Sequence, residues 1–320
     1  MTRRLRFAAA LLMAATLAPT TWLGERPNLA HDDAVLRFER IAVPDSALGP
    51  FTVEGVWRMT SPHFWFGSYS GLVVEDDGSL LAGSDRGWTL GFAPPDRPAI
   101  IPRFAPFLQQ RKRRLVDLEA LARDPEGGTV WAAYEYRNAI VRRTTDGTAT
   151  PYYPPAMRRW PFNGGAEAMA RLADGRFVVL AESASEAGEE THHRGLLFDG
   201  DPVEGAAAVP FAFAATDGFR PVDMALLPDG RVMVLLRRVE WRLPPGFTAR
   251  LAIADPREIR EGGVWRAETL ATLAPPLPVD NYEGLAVESG EDGSLTLWLI
   301  SDDNRMAIQR TLLMKLLWRP

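Results

Sequence analysis

The sequence contains no cysteine, so disulfides, thiolate metal centres and cysteine nucleophiles are excluded at once. Histidine is nearly as scarce, with four in 320 residues, which leaves carboxylates as the main source of ligands and proton carriers. A basic excess is also missing. The net charge of -5 lacks the concentrated positive face that nucleic acid requires, and no nucleic-acid partner is expected. There is no Gly-x-Ser-x-Gly elbow, Walker-type loop or dinucleotide fingerprint, which removes the usual serine esterases and nucleotide binders. Only Phe7 to Leu17 forms a sustained apolar run, and it is short for a bilayer span.

That run has a meaning of its own. Arg3, Arg4 and Arg6 precede it and small residues follow near Ala18, the order of an export signal or N-terminal anchor over residues 1–22. Thr2-Arg3-Arg4 is compatible with a twin-arginine route. The expected location is therefore the periplasm or the outside of the cell, with residues 30–320 as a single folded domain.

The chain as a whole is 46% apolar, ample for a large core, and beyond the signal it repeats. Five segments share one order: a small or acidic residue, a short apolar strand, an acidic-Gly turn and a second apolar strand. They open at Ser70-Gly71-Leu72, Asp117-Leu118-Glu119, Ala166-Glu167-Ala168, Val222-Asp223-Met224 and Tyr282-Glu283-Gly284. Their turns are Asp77-Gly78, Glu126-Gly127, Asp174-Gly175, Asp229-Gly230 and Asp292-Gly293, each a strong hairpin signal between apolar runs. Leading residues Ser70, Glu119, Glu167, Asp223 and Glu283 recur at intervals of 49, 48, 56 and 60 residues, close to one four-stranded propeller blade. The reading is an all-β propeller. At roughly 50 residues per blade the length predicts six blades, the sixth built from Ala34 to Trp57 together with Thr311 to Trp318 so that the ring closes. A β-sandwich would give no reason for such even spacing.

Antiparallel pairing sets the opening of each first strand beside the end of the second. Glu119 then meets Glu135, Glu167 meets Glu182, Glu283 meets Asp302 or Asp303, Ser70 faces Asp85, and Asp223 faces Arg237. If the leading strands are innermost, all these groups gather at one mouth of the channel. Carboxylates so crowded raise one another's pKa or demand a cation. A hard divalent ion answers that demand, Ca²⁺ above all, because it accepts six to eight oxygens. The predicted ligands are Glu119, Glu167, Asp223 and Glu283, backed by Asp85, Glu135 and Glu182. The competing reading is that the leading acids only pin strand ends through backbone amides.

Arg86, Arg137, Arg237, Arg238 and Arg305 follow the second acids. They suit an anionic substrate through bidentate contacts, or simply pair with the neighbouring carboxylates. Glu182 to Gly205, with Glu186, Glu189, Glu190, His192 and His193, reads as a long surface loop, and Arg111 to Arg114 as a solvated loop face. His192 and His193 make a poor metal pair, since adjacent residues on a strand point to opposite faces.

Tyr282-Glu283-Gly284-Leu285-Ala286, Ser301-Asp302-Asp303-Asn304 and Gln309-Arg310-Thr311-Leu312-Leu313 resemble the "esterase-like activity of phytase" family. The likeness extends to Ser70-Gly71-Leu72, Ser84-Asp85-Arg86, Asp117-Leu118-Glu119-Ala120 and Gly164-Gly165-Ala166-Glu167-Ala168. It implies an exported bacterial propeller, distantly similar to calcium-dependent phytases, with enzymatic activity. Ala120 and Ala168 depart from the expected glycine, and Asp223 with Arg237 from the expected acid pair.

The function expected is a Ca²⁺-dependent hydrolase of a phosphate or carboxylic ester, a small-molecule substrate held at the acidic mouth. Asp302 or Asp303 would carry the proton, and Arg86 or Arg305 would steady developing negative charge. A gluconolactonase-like lactonase and a non-catalytic ligand-binding propeller remain the alternatives.

Overall fold

The computed structural model describes residues 31–44, 47–109, 115–187, 190–242 and 245–320. The expected export signal over 1–22 and the basic run Arg111 to Arg114 lie outside the described residues.

In chain order the strands are β1 (Arg37–Ile41), β2 (Phe51–Thr60), β3 (Tyr69–Val74), β4 (Leu80–Ser84), β5 (Trp88–Phe92), β6 (Arg103–Pro106), β7 (Leu118–Arg123), β8 (Val130–Tyr134), β9 (Ala139–Arg143), β10 (Ala149–Tyr152) and β11 (Ala166–Arg171). They continue with β12 (Phe177–Ala187), β13 (Glu190–Phe198), β14 (Ala208–Thr216), β15 (Arg220–Leu226), β16 (Val232–Glu240), β17 (Gly246–Ala254), β18 (Val264–Arg266), β19 (Glu268–Leu273), β20 (Asn281–Ser289), β21 (Leu295–Asp302) and β22 (Leu312–Trp318). They form five sheets, each one blade of a propeller.

Blade I is β3-β4-β5-β6 and blade II is β7-β8-β9-β10. Blade III is β11-β12-β13-β14, extended by β18, which crosses from the neighbouring blade to pair in parallel with β14. Blade IV is β15-β16-β17-β19, and blade V is β20-β21-β22-β2-β1. Strands β3, β7, β11, β15 and β20 neighbour one another around the axis.

The expectation of six blades is corrected to five. Ala34 to Trp57 and Thr311 to Trp318 do close the ring, but as the outer part of blade V, where β22 lies between β21 and β2. Dividing length by blade size counted these strands as a separate blade. The long loop expected over Glu182 to Gly205 is corrected as well: β12 and β13 run through most of it as a paired hairpin. The polar run Glu189 to Arg194 gives no strand signal, which hid the pairing of β13.

Inner strands are mostly apolar because both faces are covered, as in Val130 to Tyr134 and Leu80 to Ser84, which are wholly buried. Outer strands alternate or turn polar, as in β6 and β1. The core is not one mass but five clusters, one between each pair of adjacent blades. Val222, Leu251, Leu285 and Leu299 join blades IV and V, for example, while Leu72, Leu90, Trp298 and Ile300 join V and I. Five interfaces among five blades are what a closed ring requires. The inner hairpins turn on Gly78, Gly175, Gly230 and Gly293, all with φ between 76° and 86°, a conformation that favours glycine. The preceding aspartates accept the amide of the residue after each of these glycines, as Asp77 does from Ser79 at 2.8 Å.

Candidate active site at the channel mouth

Each first hairpin of a blade carries a β-bulge near its channel-mouth end. The register slips between Tyr69 and Gly71, Leu118 and Ala120, Ala166 and Ala168, Pro221 and Asp223, and Tyr282 and Gly284. The residues left out of the ladder are Ser70, Glu119, Glu167, Val222 and Glu283. A bulge re-aims a side chain without dismantling the sheet. The second-strand residues that follow the last pair before each bulge are Asp85, Glu135, Glu182, Arg237 and Asp302.

These ten equivalent positions form the mouth, and seven hold acids. Glu119, Glu167 and Glu283 are each only 9% exposed. Oxygens of Asp117, Glu119 and Glu135 all lie within 4.8 Å of one another, as do those of Glu135, Glu167 and Glu182. Glu135 belongs to both sets. Its Oε1 accepts the amides of Gly164 and of Gly165, the latter at 2.9 Å.

Asp117 was not singled out as a ligand from sequence, although it stands two residues before Glu119. It occupies the left-handed region at φ 73°, uncommon for a residue with a side chain. Two backbone bonds hold it there: its amide donates to Asp85 O, and its carbonyl accepts Glu135 N at 2.9 Å.

Burial and mutual repulsion govern the charge state. Burial, followed by Glu283, Asp117 and Glu135, pushes Glu119 well above the carboxylate range. Asp85 is raised to about 7 by burial, Asp117 and Glu283. Glu135 is raised to about 7 by burial and Asp117, against the pull of the Gly164 and Gly165 amides. Asp302, 5% exposed, is raised by burial, Glu283 and Asp85. One side of the mouth is relieved by arginine. Arg237 reaches Glu182 at 3.3 Å and Glu283 at 3.2 Å, and Arg220 reaches Glu182 at 3.2 Å. Among the described residues no such ion pair reaches Asp117, Glu119 or Glu135.

Several expected site residues stand elsewhere. Asp223 is one position beyond the bulge, where Val222 is the true counterpart of the glutamates. Its carboxylate accepts the amides of Met224 at 2.8 Å, Leu285 at 2.7 Å and also Leu72, so it pins three innermost strands together below the mouth. Asp223 therefore does not face Arg237 as expected. The sequence held the clue: Asp223 is six residues from its turn, while Glu119 and Glu167 are seven. Asp303 accepts from Ser68 N, Arg305 N and Thr311 Oγ1 at 2.9–3.0 Å, which ties loops together. Arg305 lies over Phe64 and lines a side cavity of about 320 Å³ with Arg58 and Arg310. Arg86 packs against Phe64 and Trp65 and donates to Phe64 O at 2.7 Å. His193 is buried on β13, its Nδ1 2.9 Å from Glu182 O.

A five-bladed β-propeller with carboxylates converging on one end of its channel is the class that fold and site define. Residues 64–305 match the phytase-like family described as "esterase-like activity of phytase", and the chain belongs to that family. No curated protein matches the sequence significantly. Among solved structures, the endo-arabinase from Bacteroides thetaiotaomicron VPI-5482 is similar at 10% identity and a TM-score of 0.53, over 80% of this chain and 96% of that one. That likeness bears on the fold alone. Streptogramin B lyase also aligns, at 11% identity and a TM-score of 0.42, over 84% and 98% of the two chains.

Proposed function

We propose that the chain is an exported, Ca²⁺-dependent hydrolase of a phosphate or carboxylic ester. The carrying observation is the set Asp117, Glu119 and Glu135, whose oxygens lie within 4.8 Å of one another with no arginine or lysine paired to them among the described residues. Oxygen-only donors at that spacing suit a hard divalent cation, and Ca²⁺ tolerates the irregular geometry that bulged strands impose. When bound, the cation polarises an ester oxygen and offsets negative charge in the transition state.

The chain's own residues supply the rest. Glu135 is oriented by the Gly164 and Gly165 amides, and Glu119 by its bulge, so the donor set is positioned before a ligand arrives. Asp302, whose carboxyl burial and then Glu283 and Asp85 push well above the usual carboxylate range, is the general acid or base of this reading.

The test is hydrolysis of phosphate monoesters, simple esters and lactones with Ca²⁺ and after chelation, in the wild type and in Glu119→Gln. Turnover that needs Ca²⁺ and is lost with Glu119→Gln upholds the reading. Turnover that survives chelation overturns it, and Ca²⁺ binding without turnover on any of these substrates leaves a ligand-binding propeller.

A further inference from the structure

In four of the five blades the second-strand position just beyond the pair that flanks the bulge is an acid: Asp85, Glu135, Glu182 and Asp302. In blade IV that position is Arg237. The equivalence is set by register, since Arg237 follows the Leu236 to Pro221 pair just as Glu135 follows the Tyr134 to Leu118 pair and Glu182 the Ala181 to Ala166 pair. Blade IV also has Val222 where the other bulges hold Ser70 or a glutamate. It is therefore the one blade that adds no acid to the ring and contributes a cation instead.

Arg237 is placed to serve the half of the ring next to it. Its Nη2 lies 3.3 Å from Glu182 and 3.2 Å from Glu283, and the side chain is only 16% exposed. A guanidinium stays charged at any pH the fold survives. Glu182 is itself one of the three groups whose oxygens converge within 4.8 Å on the Glu167 side. The opposite half, Asp117 with Glu119 and Glu135, has no such partner among the described residues.

We infer that Arg237 is a built-in counter-ion that takes the place of a second divalent cation, so that the mouth holds a single ion, on the side of Asp117, Glu119 and Glu135. The inference rests on the cation-site reading above and adds to it a stoichiometry and an asymmetry. A substrate approaching the mouth would meet an exchangeable ion on one side and a fixed guanidinium on the other. Arg237 is then a positioning residue, acting through Glu182 and Glu283.

The experiment is a Ca²⁺ titration of the whole chain by calorimetry and native mass spectrometry, with melting temperature recorded alongside, for the wild type, Arg237→Gln and Arg237→Lys. The wild type is expected to bind one ion. Arg237→Gln, which removes the cation paired with Glu182 and Glu283, is expected to bind two, to melt about 5–10 °C lower without Ca²⁺, and to recover most of that loss when Ca²⁺ is added. Arg237→Lys, which keeps a charge, is expected to bind one. Two ions on the wild type overturn the inference whatever the variants do, and so does Arg237→Gln bound to one ion with wild-type affinity. A wild type that binds none defeats the cation-site reading instead. In that case an ion gained by Arg237→Gln still upholds the role of Arg237, and none gained removes it.

Discussion

Asp223 and Leu285 are joined across two blades by a hydrogen bond of 2.7 Å from the Leu285 amide to the Asp223 carboxylate, although 62 residues separate them in the chain. The same carboxylate takes the amides of Met224 and Leu72. One buried acid thus satisfies backbone groups on β15, β20 and β3, where no sheet ladder can.

Asp223→Ala is therefore expected to destabilise the fold by about 3–5 kcal/mol, since it strands buried amides at a blade junction. Asp223→Asn keeps an acceptor and should lose less. Because Asp223 stands apart from the converging oxygens, Ca²⁺ affinity in Asp223→Asn should stay within about twofold of wild type, a change under ~0.5 kcal/mol. Denaturant unfolding and calorimetry check both parts. Lost affinity with retained stability would show that Asp223 is a ligand.

Close blade contact makes a second prediction at Gly71. A Cβ there would stand 2.8 Å from Leu121 N and 3.1 Å from the Ala120 carbonyl carbon, both backbone atoms of blade II. Gly71→Ala must push two innermost strands apart, at a cost of about 1–3 kcal/mol in thermal or chemical unfolding. A neutral outcome would mean that blades I and II meet less tightly than described.

The pH dependence follows from Asp85 and Glu135, both raised to about 7 from ordinary values of 3.8 and 4.5. Between those limits the cation-free folded state holds protons that the unfolded chain has released, so its stability falls as pH rises toward 7 and levels off above it. On the proposed cation site, protons and cation would compete for the same oxygens. The melting-point gain from added Ca²⁺ should consequently grow from pH 5 to about 7 and then flatten. Differential scanning across that range, with and without Ca²⁺, is the check; a Ca²⁺ effect largest at pH 5 would contradict it.

Much of this was legible beforehand. The five hairpins, their acidic-Gly turns and the gathering of Glu119, Glu167, Glu283 and their partners follow from chain order and antiparallel pairing alone. The blade count did not follow, because strands β2 and β22 come from opposite ends of the sequence and carry no hairpin signature of their own. Asp223 misled because residue type was read ahead of position: an acid one place past the bulge serves the backbone. Asp117 escaped because its aim depends on a left-handed backbone, which side-chain alternation does not predict.

Removing residues 312–320 deletes the strand between β21 and β2 and leaves both with open edges. The shortened chain is expected to lose cooperative unfolding and to aggregate, which calorimetry and light scattering would show. A folded, monomeric product would place ring closure elsewhere.

The interleaving of β2 with β22 also sets an order on the making of the molecule. Blades I to IV can assemble as the polypeptide leaves the ribosome, but the fifth waits for its final segment. Until translation has passed residue 318, β2 has no partner on its inner side, although every acid at the mouth has already been made. The strand that locks blade V is thus made after every residue that lines the mouth.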